Sequence, residues 1–272
     1  MGLRINTNVA SLNTARTLQR STNSLNKSLE RLSSGLRINR AADDAAGLAI
    51  AEGFRSVVRG SQVAQRNAQD GVSLVQTAEG ALSETTNILQ RIRELSVQSA
   101  NGTQSTTNRA ALNNEVNQLL QQIDDIAFDT EFNGVAVLSS SSTLTLQTGA
   151  YTGQTLQIAV VSGASQGAIG VSTVNISTAA GAVSALSQVD TALQRVNTLR
   201  SNLGALQNRL EFTINTLAIQ EENSAASESA IRDADIARET IQFTRNQILV
   251  SAGTSVLAQS NIVPQTALQL LG

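Results

Sequence analysis

The two ends of this chain carry its most regular apolar patterns, and both patterns have helical spacing. Near the start the apolar residues step mainly by three, four and seven, and near the finish they step by seven. These residues are Ile5, Val9, Leu12, Leu18, Leu25, Leu29, Leu32 and Leu36, followed at the other end by Leu249, Val256, Val263 and Leu270. A seven-residue step is typical of the face that one helix presents to another in a coiled coil. We therefore expect the two terminal helices to pair.

Aromatic residues are too scarce for an ordinary compact core. They make up 2% of the chain, with five Phe, one Tyr and no Trp. Large aromatic side chains dominate burial in compact domains, whereas Ala, Leu, Ile and Val are sufficient for thin helical bundles. The sequence predicts a mainly α fold, an elongated helical bundle with a terminal coiled-coil pair and a small β-hairpin insert.

The chain contains no His and no Cys, which removes the commonest general base, the thiolate nucleophile and the ordinary zinc ligands. Paired acids remain as candidates for acid–base chemistry or cation binding, at Asp43/Asp44, Asp124/Asp125, Glu221/Glu222 and Asp233/Asp235. Adjacent acids on a helix diverge by about 100 degrees, so we interpret them as caps and solvated faces. We expect no catalytic residue, no cofactor and no metal site.

Charge and hydropathy argue against two further classes of partner. The net charge of −2 provides no basic field for nucleic acid, and no apolar run reaches the ~20 residues that span a bilayer. The first residues lack the apolar segment and cleavage site of a secretory signal. We therefore predict no nucleic-acid binding, no membrane insertion and no cleaved signal peptide.

Local signals divide the chain into segments. We predict a first helix ending at Gly35, a second from about 44 to 100 capped by Asp43 or Asp44, and a third capped by Thr106, Thr107 or Asn108. Alternating residues at 143–147 and 155–160 predict a β-hairpin, and the Gly-rich stretch 161–180 predicts a surface excursion with another short strand. A fourth long helix follows, and a final helix runs from about 231 to 260, with Pro264 at its end.

The segment 33–47 reads SSGLRINRAADDAAG. This segment, together with the stretches at 5–9, 90–98, 132–134 and 247–259, resembles bacterial flagellin. The resemblance covers about 1–138 and 186–272. It implies a short flagellin without large outer domains, a structural subunit and not an enzyme, which polymerises into the flagellar filament for motility by pairing its N- and C-terminal helices.

The resemblance, together with the segmentation, implies five parts. They are an N-terminal core helix at 1–43, an N-terminal bundle part at 44–132, a hairpin and variable insert at 133–180, a C-terminal bundle helix at 181–231 and a C-terminal core helix at 232–272. Gly35, Arg37, Asn39, Asp43 and Asp44 form the expected turn between the first two parts.

The resemblance also implies partners and a location. The partners are further copies of the chain, flagellar cap and junction proteins, a cytosolic export chaperone at the C-terminal helix, and host Toll-like receptor 5. By resemblance, the receptor contacts lie at Gln90, Arg91, Leu95, Gln98 and Glu115. The expected location is extracellular, in the filament, reached by type III export through the central channel without signal cleavage.

Two other classes of protein remain alternatives at this point. A hook–filament junction protein would share the pairing of the two ends but would not polymerise indefinitely. A secreted binding module would bind a ligand through its insert at 139–180, where Tyr151 is the only aromatic residue. An enzyme would need an active site, and this insert contains no Asp, Glu, Lys or Arg.

Overall fold

The computed structural model of the protein describes residues 7–139, 143–159 and 163–269. Ile5 and Leu270 lie outside the described residues, and Val263 lies within a helix whose side chains are not described at that point. The helices are α1 (Val9–Ser34), α2 (Ala45–Ala100), α3 (Thr106–Asp129), α4 (Gln166–Ile169), α5 (Ala179–Arg232) and α6 (Ile236–Gln269). The strands are β1 (Glu131–Phe132), β2 (Val135–Ala136), β3 (Thr143–Gln147) and β4 (Thr155–Ala159).

The mainly α fold with a small β-hairpin is confirmed. The chain forms two compact units, one comprising Met1–Ser56 with Asn223–Gly272 and the other Val57–Glu222. Both α2 and α5 contribute residues to each unit.

In the first unit, α1 packs against α6. The side chain of Asn8 caps α1 by accepting a hydrogen bond from the Ser11 amide at 3.0 Å. Gly35 ends the helix in the left-handed region with φ 71°, and its amide donates to the Arg31 carbonyl. Glycine favours this conformation because it has no Cβ, so the predicted stop at Gly35 is confirmed.

The second unit has an apolar core formed by α2, α3 and α5. Many core side chains are Ala or Val, which lets the helices approach closely despite the shortage of aromatic residues. The largest fully buried side chains of this unit include Leu82, Leu89, Ile92, Leu95, Ile123 and Leu210. The cap of α3 is Ser105, whose side chain accepts from the Asn108 amide at 3.2 Å, so the predicted cap at Thr106, Thr107 or Asn108 is wrong by at least one residue.

Strands β3 and β4 pair antiparallel, with Leu144 opposite Ile158 and Leu146 opposite Leu156. These four residues lie on the face of the hairpin that packs on the helices, and they all belong to the core or pack against it. The alternation of apolar and polar residues correctly predicted this pair.

The prediction that 161–180 forms a surface excursion is wrong for the described part, residues 163–180. This segment contains α4 in place of the expected strand, and five of its apolar residues are buried: Ala164, Ile169, Val171, Val174 and Ile176. Side chains of the long helices hold its backbone. Asn113 accepts from the Ile176 amide at 2.8 Å, and Asp124 accepts from the Gln166 amide at 2.8 Å. The segment therefore closes the core of the second unit.

Two predicted helix boundaries near the C-terminus are also wrong. The last helix starts at Ile236, because the Asp235 side chain caps it by accepting from the Arg238 amide at 3.1 Å. It also continues through Pro264 to Gln269. Proline has no amide hydrogen to donate to the Ser260 carbonyl, and that carbonyl instead accepts from Asn8 Nδ2 at 2.8 Å.

Candidate functional site

The register of the terminal helix pair is set by three polar contacts between α1 and α6. Asn8 Nδ2 donates to the Ser260 carbonyl, and Ser11 Oγ donates to Asn261 Oδ1, both at 2.8 Å. At the opposite end of the pair, Arg31 Nη1 lies 3.6 Å from Glu239 Oε2. In all three contacts the two residue numbers sum to nearly the same value, so the helices are antiparallel.

The seam of this pair consists of two heptad patterns. Residues less exposed than their neighbours recur along each helix at alternating steps of three and four. On α1 they are Ser11, Thr14, Leu18, Ser21, Leu25, Ser28 and Leu32, and on α6 they are Glu239, Phe243, Asn246, Val250, Gly253, Leu257 and Ser260.

Large and small residues alternate across this seam. Leu18 lies against Gly253, whose added Cβ would lie 3.1 Å from Leu18 Cδ1. The same register places Leu25 opposite Asn246, and Ser21 opposite Val250. Each bulky side chain of one helix thus meets a small or polar residue of the other, which fills the seam without a second layer of large residues.

The structure places the predicted terminal residues on two different faces. Leu18, Leu25 and Leu32 lie in the seam and Leu36 lies in the turn after α1, all half-buried, whereas Val9, Leu12 and Leu29 are exposed. On α6, Leu249 and Val256 are 48% and 54% exposed, outside the seam. Phe243, Val250 and Leu257 occupy the seam instead. They show the same seven-residue step in the sequence, so spacing alone does not distinguish the two faces.

The turn between α1 and α2 lies against the break between α5 and α6. The Arg37 amide donates to the Arg232 carbonyl at 2.7 Å, and the Ala234 amide donates to the Gly35 carbonyl at 2.9 Å. Asn39 Nδ2 donates to Ser34 Oγ at 2.8 Å, and Asp44 Oδ1 caps α2 by accepting from the Gly47 amide at 2.8 Å. Gly35, Arg37, Asn39 and Asp44 therefore all contribute to this connection.

Asp43 joins this turn to α1. Its Oδ1 lies 2.7 Å from Lys27 Nζ, and its Oδ2 accepts from the amides of Asn39 and Arg40. The hydrogen bond from Lys27, assisted by the two amides, lowers the pKa of Asp43 to about 2 against an opposing effect of burial.

The five residues predicted for receptor contact all lie in the second unit. Gln90, Arg91 and Gln98 are exposed and Glu115 is half-exposed. Arg91 Nη2 lies 2.9 Å from Glu115 Oε1 and Nη1 lies 3.1 Å from Glu94 Oε2, and these hydrogen bonds, Glu115 foremost, raise the pKa of Arg91. Leu95 is only 1% exposed, so its side chain points into the core and is not available at the surface.

Two features are absent from the described residues. No group of three acidic residues that could bind a metal ion occurs there. Within the same ranges, every helix is too short or too polar to cross a bilayer.

Two family models together match most of the chain. The bacterial flagellin N-terminal helical region matches residues 5–143, and the bacterial flagellin C-terminal helical region matches residues 186–271. The chain belongs to the bacterial flagellin family.

Two relatives match this chain over nearly their full length. It is 46% identical to a flagellin of Halalkalibacterium halodurans over 275 residues, with 98% of this chain and 99% of the relative covered. It is 43% identical over 283 residues to the flagellar filament 33 kDa core protein of Treponema phagedenis, with 98% and 99% covered. The match therefore extends over nearly the whole length of both relatives.

The crystal structure of Bacillus cereus flagellin is similar to part of the flagellin described above. The two chains are 34% identical and superpose with a TM-score of 0.51, which covers 56% of this chain and 88% of the other. The resemblance between the sequences therefore extends to the fold.

Proposed function

We propose that this chain is a structural subunit that polymerises into the bacterial flagellar filament for motility, with no catalytic role. The observation that supports this most directly is the pairing of its two ends through the α1–α6 seam. Chain termini usually fray unless contacts tie them down, so an ordered pair of terminal helices with a fixed register supports an assembly built on that pair.

The outer face of α6 supports the same proposal. Ile241, Ile248, Leu249 and Val256 are each between 48% and 63% exposed, although the seam beneath them is already filled. Exposed apolar residues in series typically mark an interaction surface. Burial by neighbouring copies would stabilise a polymer by about 25 cal/mol per Å² of apolar surface.

Seeded polymerisation tests this function. Purified full-length chain and a variant lacking residues 1–40 are added to sheared filament seeds and examined by sedimentation and negative-stain electron microscopy. We expect long filaments from the full-length chain alone. Monomers or short caps from the full-length chain would contradict the proposal and favour a hook–filament junction protein.

We propose that the parts expected from the sequence serve this assembly. The segments 1–43 and 232–272 form the inner core, and 44–132 and 181–231 form the surrounding bundle. The insert 133–180 lies on the outer side of this bundle, with its part 163–180 packed on the bundle's own core. Limited proteolysis of filaments tests this arrangement, since cleavage confined to 133–180 is expected and ready cleavage within 1–43 would contradict it.

We further propose an extracellular location reached by export without signal cleavage. Intact-mass analysis of subunits from isolated filaments checks this, because an uncleaved chain retains its N-terminal residues. A mass lower by the length of a signal peptide would overturn the proposal.

The exposed apolar face of α6 also supports a proposed cytosolic export chaperone. A partner that covers Ile241, Ile248 and Leu249 before export would prevent premature assembly. Calorimetry with a flagellar export chaperone should show binding to the full chain and weaker binding to Ile248→Asp. Flagellar cap and junction proteins are proposed to contact the same helix pair at the two ends of the polymer.

Recognition by host Toll-like receptor 5 is proposed for the exposed residues Gln90, Arg91 and Gln98 together with the half-exposed Glu115. Arg91→Glu is expected to reduce receptor signalling, with Arg209→Glu as the control for a charge reversal elsewhere on the same unit. Equal signalling from both variants would contradict the proposal.

A further inference from the structure

The end of α3 and the following strand form an acidic surface with an apolar centre. Asp125, Asp129 and Glu131 are exposed, and Phe128 between them is 57% exposed. No Lys or Arg occurs anywhere from residue 110 to residue 194. Within the described part of the chain, none of these three carboxylates forms an ion pair. We call these four residues the acidic patch.

One face of α2 has the opposite character. Arg59, Val63 and Arg66 follow each other at steps of four and three, which places them on one side of the helix. All three are exposed, Val63 by 46%. No acidic residue occurs from 53 to 69, and neither arginine has an ion-pair partner among the described residues. We call these three residues the basic stripe. Asp70 marks its end, one turn beyond Arg66.

The two surfaces lie at different heights of the same unit. α2 and α3 are antiparallel, and the contact between Arg91 and Glu115 sets their register. This register places Phe128 near residue 78 of α2, about 15 residues beyond Val63. At a rise of ~1.5 Å per residue, the two patches are offset by roughly 22 Å along the bundle.

We propose that the basic stripe of one copy binds the acidic patch of a second copy, with Val63 packed near Phe128 and the arginines opposite the carboxylates. The proposal rests on the filament function and names the contact between neighbouring bundles. The two surfaces differ and are offset along the bundle. Each docking step therefore leaves one basic stripe and one acidic patch free. Such a heterologous contact does not close on itself and propagates as an open helical array.

Charge reversal offers a direct test on the full-length chain. The first variant is Arg59→Glu with Arg66→Glu, and the second is Asp125→Lys with Asp129→Lys. In each variant the stripe of one copy and the patch of its neighbour carry charge of the same sign, so the two surfaces repel each other. We expect seeded elongation at least about tenfold slower for either variant alone, with an effect that shrinks as added salt screens the charges.

Mixing the two variants gives the decisive result. One variant then has two acidic surfaces and the other has two basic surfaces, so alternating copies are complementary again. We expect an equimolar mixture, and a chain carrying all four substitutions, to recover elongation. The matched controls Arg209→Glu and Glu84→Lys reverse exposed charges outside both patches and should elongate like the wild type.

The outcomes separate this contact from the proposed function. Wild-type elongation together with normal elongation of both double variants would overturn the contact and leave the filament function standing. Loss of elongation that the mixture does not restore would also overturn it, once circular dichroism shows that both variants fold. Sedimentation that shows a closed wild-type dimer would overturn the open array. Failure of the wild type to elongate seeds would instead contradict the filament function itself.

Discussion

Gly253 of α6 lies directly against Leu18 of α1, so close that an added Cβ would be 3.1 Å from Leu18 Cδ1. This contact lies near the middle of the seam and is an example of a large residue of one helix packing against a small residue of the other. The two helices approach each other where one of them has no side chain, and the leucine of the other fills the space.

A larger residue at position 253 should therefore force the helices apart. We expect Gly253→Leu to destabilise the pair by about 1 to 3 kcal/mol, because overpacking displaces neighbouring side chains. Hydrogen exchange of the α1 amides measures this loss. Gly80→Leu is the control, since beyond the backbone of its own helix and the two adjoining residues no atom lies within 4 Å of a Cβ added there. Recovery is expected in Gly253→Leu combined with Leu18→Ala, and its absence would contradict the size complementarity.

Two valines of α6 should separate pairing from polymerisation. Val250 is half-buried in the seam, whereas Val256 is 54% exposed on the outer face. We expect Val250→Asp to weaken α1–α6 pairing in the free subunit, because it buries a charge without a partner. Val256→Asp should retain pairing but slow seeded elongation. Equal hydrogen exchange in the two variants would contradict this division of faces.

The ion pair of Asp43 with Lys27 predicts a stability that depends on pH. The folded pKa of Asp43 is about 2 and its ordinary value is 3.8. A lowered pKa means that the carboxylate stabilises the folded state above about pH 4 and that this contribution is lost as pH falls towards 2. We expect Asp43→Asn to cost about 1 kcal/mol at neutral pH.

Urea denaturation of both proteins between pH 7 and pH 2 measures this effect. The difference in unfolding free energy between wild type and Asp43→Asn should shrink across the acidic range. Asp70→Asn, at an exposed position without an ion pair among the described residues, is the control. A difference that stays constant down to pH 2 would show that the charge of Asp43 is not responsible.

The position of the segment 163–180 on the core depends on Asn113. Its side chain accepts the amide of buried Ile176 at 2.8 Å. Asn113→Ala would leave this amide without its partner, and we expect a loss of about 1 to 3 kcal/mol in thermal unfolding of the second unit. The neighbouring exposed Asn114 provides the control Asn114→Ala. Similar thermal unfolding temperatures for Asn113→Ala and Asn114→Ala would contradict a structural role of this hydrogen bond.

The long helices and the hairpin were predictable because their signals are local. Gly35 stops α1 through its own backbone freedom, and the alternation at 143–147 directs side chains to opposite faces of a strand. The segment 163–180 gave a misleading signal. Its small residues and Gly are typical of loops, but Asn113, Asp124 and the core of the second unit hold it in place from distant parts of the sequence.

The sequence by itself determined the long helices, the end of α1 at Gly35 and the presence of two heptad-spaced stripes at the chain ends. It did not determine which stripe of α6 meets α1, because Phe243–Val250–Leu257 and Leu249–Val256–Val263 share the same spacing. Only the tertiary structure decided this. The first stripe places Gly253 opposite Leu18 and Glu239 beside Arg31, and these contacts depend on residues more than 200 positions apart. The periodicity of a sequence indicates that a helix has an apolar face. Which face packs against the other helix depends on the shapes and charges of the side chains of both helices.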